Sequence, residues 1–582
     1  MKFKKNILSI STSVAMLSMV GCGVTSQDAG QGSGAAVSGV AVDGYIAGGV
    51  VYVDTNENFE IDAWEPRAFT DARGYFTYAP AITNTEGEVI QEAIRYCDLP
   101  TSDASYQFCL KIPAAYDEVL VRVTKGYDLT TAEPFVGTMT MKMSANSDDL
   151  AQHNVVSPIT GLLAKMTDEQ KATFLTNENV PDLESVDFLD FSEGNPLKDD
   201  AAQRLRILSL ALMVHNVSNI AGQQIATELH ESVTANNASK ASVGTMSNKQ
   251  AASAPDLSLN SFTLTASDNV LKALLKFITS QTGTSTMSTL LENDSGGLAS
   301  LVLADMKEGL EKRAPGNSPP QDPSLTSVAD NVTNMRSVLV WTDEVTPTNV
   351  ADLKQFVNGK LKVTEIVSTL INDKEDPAAV AKAIELSKDA DFVTNLGDEK
   401  VDLNHLKKKF VDDPASVVAG DADYSTRQCF AEMLTTDNAA ANGLTLTAGG
   451  GNANTEGLAF NTLNMSETNT DGTVKNGVVV DFSGDSTDAT KGTMKITARF
   501  SEGDYAKKEK DAEGNLVLVG QEFSGTWNQL DPCTMLLTVD VAGVVESVIV
   551  KPTITKKDGN DVSAYNFDLG GEQRVWVPKT ST

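Results

Sequence analysis

Residues 54–65, "DTNENFEIDAWE", carry oxygen-bearing side chains at alternating positions and end on a glutamate at the twelfth. When a loop of this length curls, the side chains at positions 1, 3 and 5 converge, position 7 offers a backbone carbonyl, and position 12 can supply two oxygens. Such hard oxygens suit Ca²⁺, whereas Mg²⁺ prefers to keep its waters. The pattern therefore predicts a Ca²⁺ site with these ligands: Asp54, Asn56, Asn58, the backbone carbonyl of Glu60, Asp62 and Glu65.

Two other positions of the dodecamer bear on this prediction. Ile61, at position 8, is apolar and would anchor the loop on a core. Position 6, where the sharp turn favours glycine, is Phe59. A non-glycine residue in left-handed geometry costs about 1 kcal/mol or somewhat more, so we expect a site weakened several-fold but not abolished. The alternative is a solvated acidic turn, because turns favour Asp and Asn on their own account.

The flanks of the dodecamer add a resemblance. The segment "VDGYIAGGVVYVDTNENFEIDAWEPRAFTDARGYF", Val42 to Phe76, contains D-x-N-x-N-x-x-x-D-x-x-E-P and T-D-x-x-G-x-F. It resembles the repeat of bacterial surface proteins such as the calcium-binding B-type domains of staphylococcal adhesins and related carboxypeptidase-regulatory-like sandwiches. The resemblance implies a β-sandwich that Ca²⁺ stiffens, and it does not imply catalysis. A fainter similarity, "NVVSPITGLLAKM" from Asn154 to Met166, is to the start of the helical region that follows such modules in many proteobacterial surface lipoproteins.

The first residues predict the cellular location of the protein. Three lysines precede an apolar run from Ile7 to Val20, which is too short to span a bilayer comfortably and which ends in "SMVGCG". This resembles a bacterial lipoprotein signal, although Met19 and Val20 depart from the favoured residues. The resemblance implies cleavage before Cys22 and lipidation of Cys22. Because no Asp follows that cysteine, it also implies the outer membrane, with the face left open. Ordinary secretory cleavage beside an incidental cysteine is the alternative.

Four further cysteines make an even number in an exported chain, which favours disulfides. Three pairings are possible. We expect Cys97–Cys109 and Cys429–Cys533, because each pair lies within one expected domain. The simple loop-closure model gives them about 3 and about 5 kcal/mol of stabilisation.

The charge balance limits the partners. The chain has 46 Lys and Arg against 78 Asp and Glu, a formal net charge of −32. This argues against a nucleic-acid partner, because phosphates require basic residues, and it favours attraction of divalent cations. The expected partners are outer-membrane lipid, through the acylated cysteine, and a glycan or another surface protein.

With 582 residues the chain is too long for a single core, so we expect a multidomain α+β protein. Alternating stretches such as "EVLVRVTKG" predict strands near both ends, and stripes such as Val270, Leu274 and Ile278 predict helices in the middle. The expected organisation is a signal peptide (1–21), a flexible tether (22–37), a calcium-binding antiparallel β-sandwich (38–145), a helical region (146–425) with a polar insert (234–256) and a Pro-rich linker (314–324), and a disulfide-clamped C-terminal antiparallel β-sandwich or open barrel (426–582).

The sequence shows no catalytic motif. His230-Glu231 lacks the second histidine of a zincin, and neither G-x-S-x-G nor a Walker or Rossmann glycine pattern occurs. His215 and Trp527 are expected in cores, with a platform for a sugar as the alternative for Trp527. The leading hypothesis is a non-enzymatic, calcium-stiffened cell-surface lipoprotein with a structural or adhesive role at the outer membrane. The alternatives are a glycan- or polymer-binding accessory lipoprotein of a secretion or uptake system and, less favoured, a carboxylate-based glycan hydrolase.

Overall fold

The computed structural model describes residues 34–576 except for 63, 84–87, 102, 114–115, 117, 145–153, 193, 242–258, 281–286, 314–325, 340–349, 399–400, 402, 420–461, 469–473, 485–490, 500–507, 511–515, 519–520, 532–533, 542–543, 558–560 and 570–571. These residues form a mixed α+β structure with helices and several small antiparallel sheets. The predicted fold class is confirmed at that level, and the grouping of the small sheets into a sandwich stays a prediction. The described residues from 34 to 419 belong to one compact unit and those from 462 to 576 to another.

The first unit opens with short strands. They are β1 (Gly34–Ala36), β2 (Gly39–Ala41), β3 (Ile46–Ala47), β4 (Val50–Val53), β5 (Arg67–Phe69), β6 (Tyr75–Phe76), β7 (Tyr78–Ala79), β8 (Ile82–Thr83), β9 (Val89–Gln91), β10 (Ile94–Arg95), β11 (Lys111–Pro113), β12 (Glu118–Thr124), β13 (Tyr127–Asp128), β14 (Thr138–Ser144) and β15 (Asn154–Val156).

Helices follow, as the sequence predicts. They are α1 (Pro158–Leu163), α2 (Asp168–Glu178), α3 (Ala201–Ala241), α4 (Leu259–Ser280), α5 (Met287–Arg313), α6 (Thr326–Leu339), α7 (Val350–Asn372), α8 (Pro377–Leu386), α9 (Ala390–Leu396) and α10 (Leu403–Asp412).

The largest sheet of the first unit has the strand order β14-β12-β4-β5, with antiparallel neighbours. Strand β12 alternates as predicted: Val119, Val121 and Val123 are buried in the core of the strand region. Because successive side chains point to opposite faces, Arg122 lies on the other face, in register with Tyr52 of β4.

Residue 145 is the predicted boundary between the strand domain and the helical region, yet side chains from both sides of it pack into one hydrophobic cluster. Strand β15 pairs in parallel with β2, and Val155 packs in the same hydrophobic cluster as Val40 and the helices. Ser157 then caps α1, and Thr160 completes a capping box. The described residues of 38–145 therefore belong to the same compact unit as the helices that follow.

The helices agree with the predicted stripes. Val270 and Leu274 of α4 are fully buried, and Ile278 packs against the same core. Helix α3 continues to Ala241, so its last turns extend into the segment that the sequence assigned to a polar insert at 234–256. The Pro-rich linker at 314–324 lies outside the described residues. No helix in the part of the chain that the structure describes is both long enough and apolar enough to cross a membrane.

The described residues of the second unit form an eight-stranded antiparallel sheet in the order β16-β17-β18-β21-β22-β23-β24-β25, and β19 and β20, which lie between β18 and β21 in the chain, pair separately. Its strands are β16 (Thr462–Thr468), β17 (Val474–Gly484), β18 (Lys491–Arg499), β19 (Lys508–Lys510), β20 (Leu516–Leu518), β21 (Gln521–Asp531), β22 (Thr534–Val541), β23 (Val544–Lys557), β24 (Asp561–Leu569) and β25 (Glu572–Trp576). Trp527 is 1% exposed, and its Nε1 donates to the Ser483 carbonyl at 3.1 Å, so its predicted core position is confirmed.

The first expected disulfide is confirmed. Cys97 and Cys109 are bonded, with their Cα atoms 4.9 Å apart, and they pack beside Tyr96 and Phe108. The bond joins two 3₁₀ turns, Tyr96–Asp98 and Ala104–Phe108. The predicted anchor and the second predicted pair, namely Cys22, Cys429 and Cys533, lie outside the described residues.

Candidate metal centre

The loop of residues 54–65 connects β4 to β5, two neighbours in the four-stranded sheet. Its base is closed by a backbone hydrogen bond from Val53 N to the Pro66 carbonyl at 2.9 Å, and Asp54 N donates to the Leu120 carbonyl of β12 at 3.0 Å. The first and last residues of the loop therefore lie close together where β4 ends and β5 begins, and Asp54 and Glu65 are each 2% exposed.

The two end carboxylates of the loop hold its backbone in a curl. Asp54 accepts from the backbone N–H of Asn58 at 3.2 Å and of Phe59 at 3.1 Å. Glu65 accepts from Thr55 N at 2.9 Å through Oε1 and from Asp62 N at 3.2 Å through Oε2. The predicted first and last ligands thus face the interior of the same turn.

The middle ligands converge on Asp62. Its Oδ2 accepts from the amide nitrogens of Asn56 at 2.8 Å and of Asn58 at 3.2 Å. The amide oxygens accept in turn from backbone, Asn56 Oδ1 from Asn58 N and Asn58 Oδ1 from Glu60 N. The structure therefore brings together the side chains of five predicted site residues, while Glu60 donates its backbone N–H to Asn58 Oδ1 and exposes its side chain.

As arranged, the loop does not turn a complete set of oxygen ligands toward one point, because both amide nitrogens face Asp62. Among the residues that the structure describes, no group of three or more His, Cys, Asp and Glu side chains has the spacing that holds an ion. The donor types fit Ca²⁺, because Asp54, Asn56, Asn58, Asp62 and Glu65 all carry hard oxygens. The orientation is the obstacle: both amides present nitrogen, a donor, to Asp62. Binding would require both amides to turn their oxygens inward.

Phe59 adopts the left-handed conformation expected at position 6, with φ +64°, and Glu57 has φ +57°. The Phe59 ring stacks on the Arg122 guanidinium, whose central carbon lies 3.9 Å from the ring centroid. Tyr52 Oη donates to the Phe59 carbonyl at 3.2 Å. These contacts offset the strain of a bulky residue where glycine would be free of it.

Arg122 is the functional residue that sequence reasoning missed. Its Nε lies 2.6 Å from Asp54 Oδ2, and the two side chains are 3% and 0% exposed. Its Nη1 donates to Thr140 Oγ1 at 2.8 Å. The pair neutralises Asp54, so an incoming cation would meet the uncompensated charge of Asp62 and Glu65. A charged residue inside the alternating "EVLVRVTKG" was the available signal.

Burial raises the pKa of the Glu65 carboxyl, and the backbone N–H groups of Thr55 and Asp62 act in the opposite direction. A cation coordinated by Glu65 would compete with this proton, so its binding weakens at acidic pH.

Comparison of the chain with protein-family models, with curated proteins and with solved structures finds no match.

Proposed function

We propose that this chain is a non-enzymatic lipoprotein, anchored through Cys22 in the outer membrane at the cell surface, with a structural or adhesive role. Ca²⁺ bound at residues 54–65 stiffens its N-terminal strand layer, in which the small sheets form a sandwich. The observation that carries the proposal is the curled dodecamer, in which Asp54, Asp62 and Glu65 all turn into one loop at a sheet edge.

The mechanical argument follows from the position of the loop. Strands β4 and β5 are adjacent, and the loop joins them directly. An ion shared between the first and last residues of the loop ties the ends of both strands together and removes freedom from the sheet edge. Because Ca²⁺ binds only the folded loop, it stabilises the unit by mass action.

The affinity that we propose is modest. Arg122 compensates Asp54, Phe59 replaces the usual glycine, and two amides must turn. Calcium sites of extracellular modules have dissociation constants of about 10⁻⁴ to 10⁻³ M, and fewer charged ligands move a site toward that range. Such a site fills outside the cell, where the proposed location puts it.

A glycan- or polymer-binding accessory role is the second candidate. The observation that favours it is a groove of about 690 Å³ beside the loop, lined by Phe59, Tyr116 and several charged side chains. Tyr116 is 38% exposed, so its ring is available for stacking on a sugar. Specific retention of the purified chain on a glycan array, lost in Tyr116→Ala, would favour this role over a purely structural one.

Thermal unfolding with and without calcium tests the leading proposal. We expect 10 mM CaCl₂, compared with chelator, to stabilise the purified full chain by about 2 kcal/mol, the value that mass action gives for a dissociation constant near 0.3 mM. Asp62→Asn should lose most of this gain, because it removes a charged ligand and keeps the side-chain shape. Glu60→Gln should retain it, because only the backbone carbonyl of Glu60 is a predicted ligand. An unfolding transition indifferent to calcium in the wild type would refute the calcium site.

A further inference from the structure

A second cavity, of about 260 Å³, lies between the strand layer and the helices of the first unit. Asp43, in the turn after β2, and Asp128 of β13 line it from the strand side, while His215 of α3 and Glu365 of α7 line it from the helix side. At its rim lies Val136, which is 55% exposed and gives the cavity an opening to solvent.

Asp43 is the unusual group in this cavity. It is 7% exposed, and its Oδ1 has no hydrogen-bond partner among the residues that the structure describes. Its other oxygen, Oδ2, lies 3.6 Å from His215 Nδ1. Buried polar atoms are almost always satisfied in folded proteins, so an unsatisfied carboxylate oxygen facing a cavity indicates a missing partner that donates.

His215 does not supply a positive charge. Asn219 Nδ2 lies 2.8 Å from His215 Nε2. An amide nitrogen can only donate, so the hydrogen-bond network assigns Nε2 as the acceptor and places the ring proton on Nδ1. Burial lowers the pKa of His215 to about 4, so the ring is neutral near pH 7.

Lys407 does not compensate the two aspartates either. Its Nζ lies 3.2 Å from Glu365 Oε1, which also accepts from Thr369 Oγ1 at 2.9 Å. Glu365 is therefore paired on the helix side. Asp128 accepts two backbone N–H bonds, from Thr130 at 2.6 Å and Thr131 at 3.1 Å, which orient it without neutralising it.

The donor set selects the ligand. A primary ammonium has three N–H donors and no acceptor, which matches carboxylates and the Asn372 Oδ1 that has no partner within the described chain. The Phe135 ring, 5.3 Å from the His215 ring, offers an apolar face for an alkyl group. Drug-sized pockets measure about 300–1,000 Å³, so the ligand is small.

We propose that this cavity binds a small organic cation with a primary ammonium group, held by the carboxylates of Asp43 and Asp128. The net charge of −32 raises the local concentration of such cations. This site is separate from residues 54–65 and does not depend on the role proposed for them.

The proposal predicts a characteristic pH dependence. Burial raises the pKa of Asp43 to about 7, and the negative charge of Glu365 is a second cause. Burial also raises the pKa of Asp128 to about 7, with the negative charge of Asp43 as the next cause. An ammonium must displace these protons, so its affinity increases from pH 6 to pH 8, by up to about tenfold per unit for each proton displaced below pH 7. His215 stays neutral over this range. The other charged side chains near the two aspartates are Glu365 and Asp373, which line the cavity, and Lys407, which pairs with Glu365.

Titration calorimetry of the purified full chain with n-butylammonium chloride tests the site, with 1-butanol as the uncharged probe of similar shape. We expect one site per chain for butylammonium, tighter at pH 8 than at pH 6, and no detectable binding of 1-butanol. Asp43→Asn should weaken butylammonium binding at least tenfold, whereas Glu169→Gln, which removes an exposed carboxylate on α2, should leave it unchanged.

Three results would overturn the proposal: no butylammonium binding at pH 8, equal binding by Asp43→Asn and wild type, or displacement by CaCl₂ or MgCl₂ at equal concentration. If Asp43→Asn does not fold, the pH profile and the butanol comparison on the wild type still decide. Affinity that is constant or falls between pH 6 and pH 8 would contradict the role of the two carboxyls.

Discussion

At the scale of single residues, the buried pair of Arg122 and Asp54 links the strand layer to the loop. Taking two charges out of water is expensive, and removing one partner leaves the other buried and unpaired, which costs about 3–5 kcal/mol. We expect Arg122→Met to destabilise the first unit by that amount in urea unfolding. Arg122→Met combined with Asp54→Asn should recover much of the loss. A double variant no more stable than Arg122→Met alone would show that the pair does not act in this way.

Arg122→Met should also change how much calcium stabilises the protein. Without Arg122, Asp54 needs another cation, so CaCl₂ should stabilise Arg122→Met more than it stabilises the wild type. The opposite order would mean that Asp54 is not among the ligands.

Glu57 and Phe59 of the loop both adopt the left-handed backbone conformation, so comparing them separates the effect of backbone strain from that of the Phe59 ring. Glu57 has φ +57° and an exposed side chain, whereas Phe59 has φ +64° and stacks on Arg122. Relief of left-handed strain is worth about 1–2 kcal/mol, less the entropy that glycine adds to the unfolded chain. We expect Glu57→Gly to stabilise by about 0.5 kcal/mol.

Phe59→Gly gains the same relief but loses the stacking, worth about 0.5–2 kcal/mol, so it should be neutral or destabilising. Urea unfolding of both variants measures the difference. A Phe59→Gly variant as stable as Glu57→Gly would mean that the ring contributes nothing.

At the scale of secondary-structure elements, helices α7 and α9 approach each other through glycines. A Cβ on Gly359 would lie 1.8 Å from the Val393 carbonyl oxygen, and one on Gly397 would lie 1.9 Å from the Gln355 carbonyl oxygen. We expect Gly359→Ala to push the helices apart and to destabilise by about 1–3 kcal/mol, as overpacking does.

The matched control is Gly309→Ala in α5, where an added Cβ meets no atom of the described residues within 4 Å. Alanine is favoured over glycine in a helix by about 0.8–1 kcal/mol, so this variant should be more stable than the wild type. If the two substitutions change the free energy of unfolding equally in chemical unfolding, then helix propensity, and not the close approach of α7 and α9, determines the effect of Gly359→Ala.

Sequence periodicity predicts these elements well because it reports local packing. The alternation of Val119, Val121 and Val123 and the stripe through Val270 and Leu274 both correspond to buried faces. Periodicity contains no information on which distant strands pair, so the parallel pairing of β15 with β2 was not foreseen. Arg122 was missed for a similar reason: its partner Asp54 lies 68 positions earlier in the chain.

In the candidate site, too, the sequence predicts some features of the structure and not others. The spacing of Asp54, Asn58 and Glu65 predicts that they face one loop, and the structure brings them together. Spacing does not determine which end of an amide faces Asp62, because that choice depends on competing backbone donors such as Glu60 N. Which residues gather in the loop could thus be predicted from the sequence, whereas the orientation of their amides could not.

At the scale of the whole molecule, buried acids of the first unit make its stability depend on pH. Burial raises the pKa of Asp43 and Asp128 to about 7 and that of Asp187 to about 6, from 3.8. Between pH 4 and those values each carboxyl is protonated in the folded chain and ionised in the unfolded one. Folding then takes up protons, so stability decreases as pH rises.

His215 acts in the opposite direction. Burial lowers its pKa from 6.5 to about 4, so between those values the unfolded chain binds the extra proton and stability increases with pH. One histidine opposes three carboxyls, and the acids continue to titrate up to pH 7. The net change from pH 5 to pH 8 should therefore be a loss on the order of 4–5 kcal/mol for this unit.

Urea unfolding at pH 5, 6, 7 and 8 measures this loss. Exposed carboxylates are already ionised above pH 5, so the repulsion due to the net charge of −32 changes little over the range and cannot produce the slope. Asp43→Asn should flatten the profile and raise stability at pH 8, because it removes a carboxylate that burial makes costly, while Glu169→Gln should leave the profile unchanged. Stability that rises steadily from pH 5 to pH 8 would contradict the raised pKa values, since His215 and Lys360, whose pKa burial lowers to about 8, would then outweigh the acids.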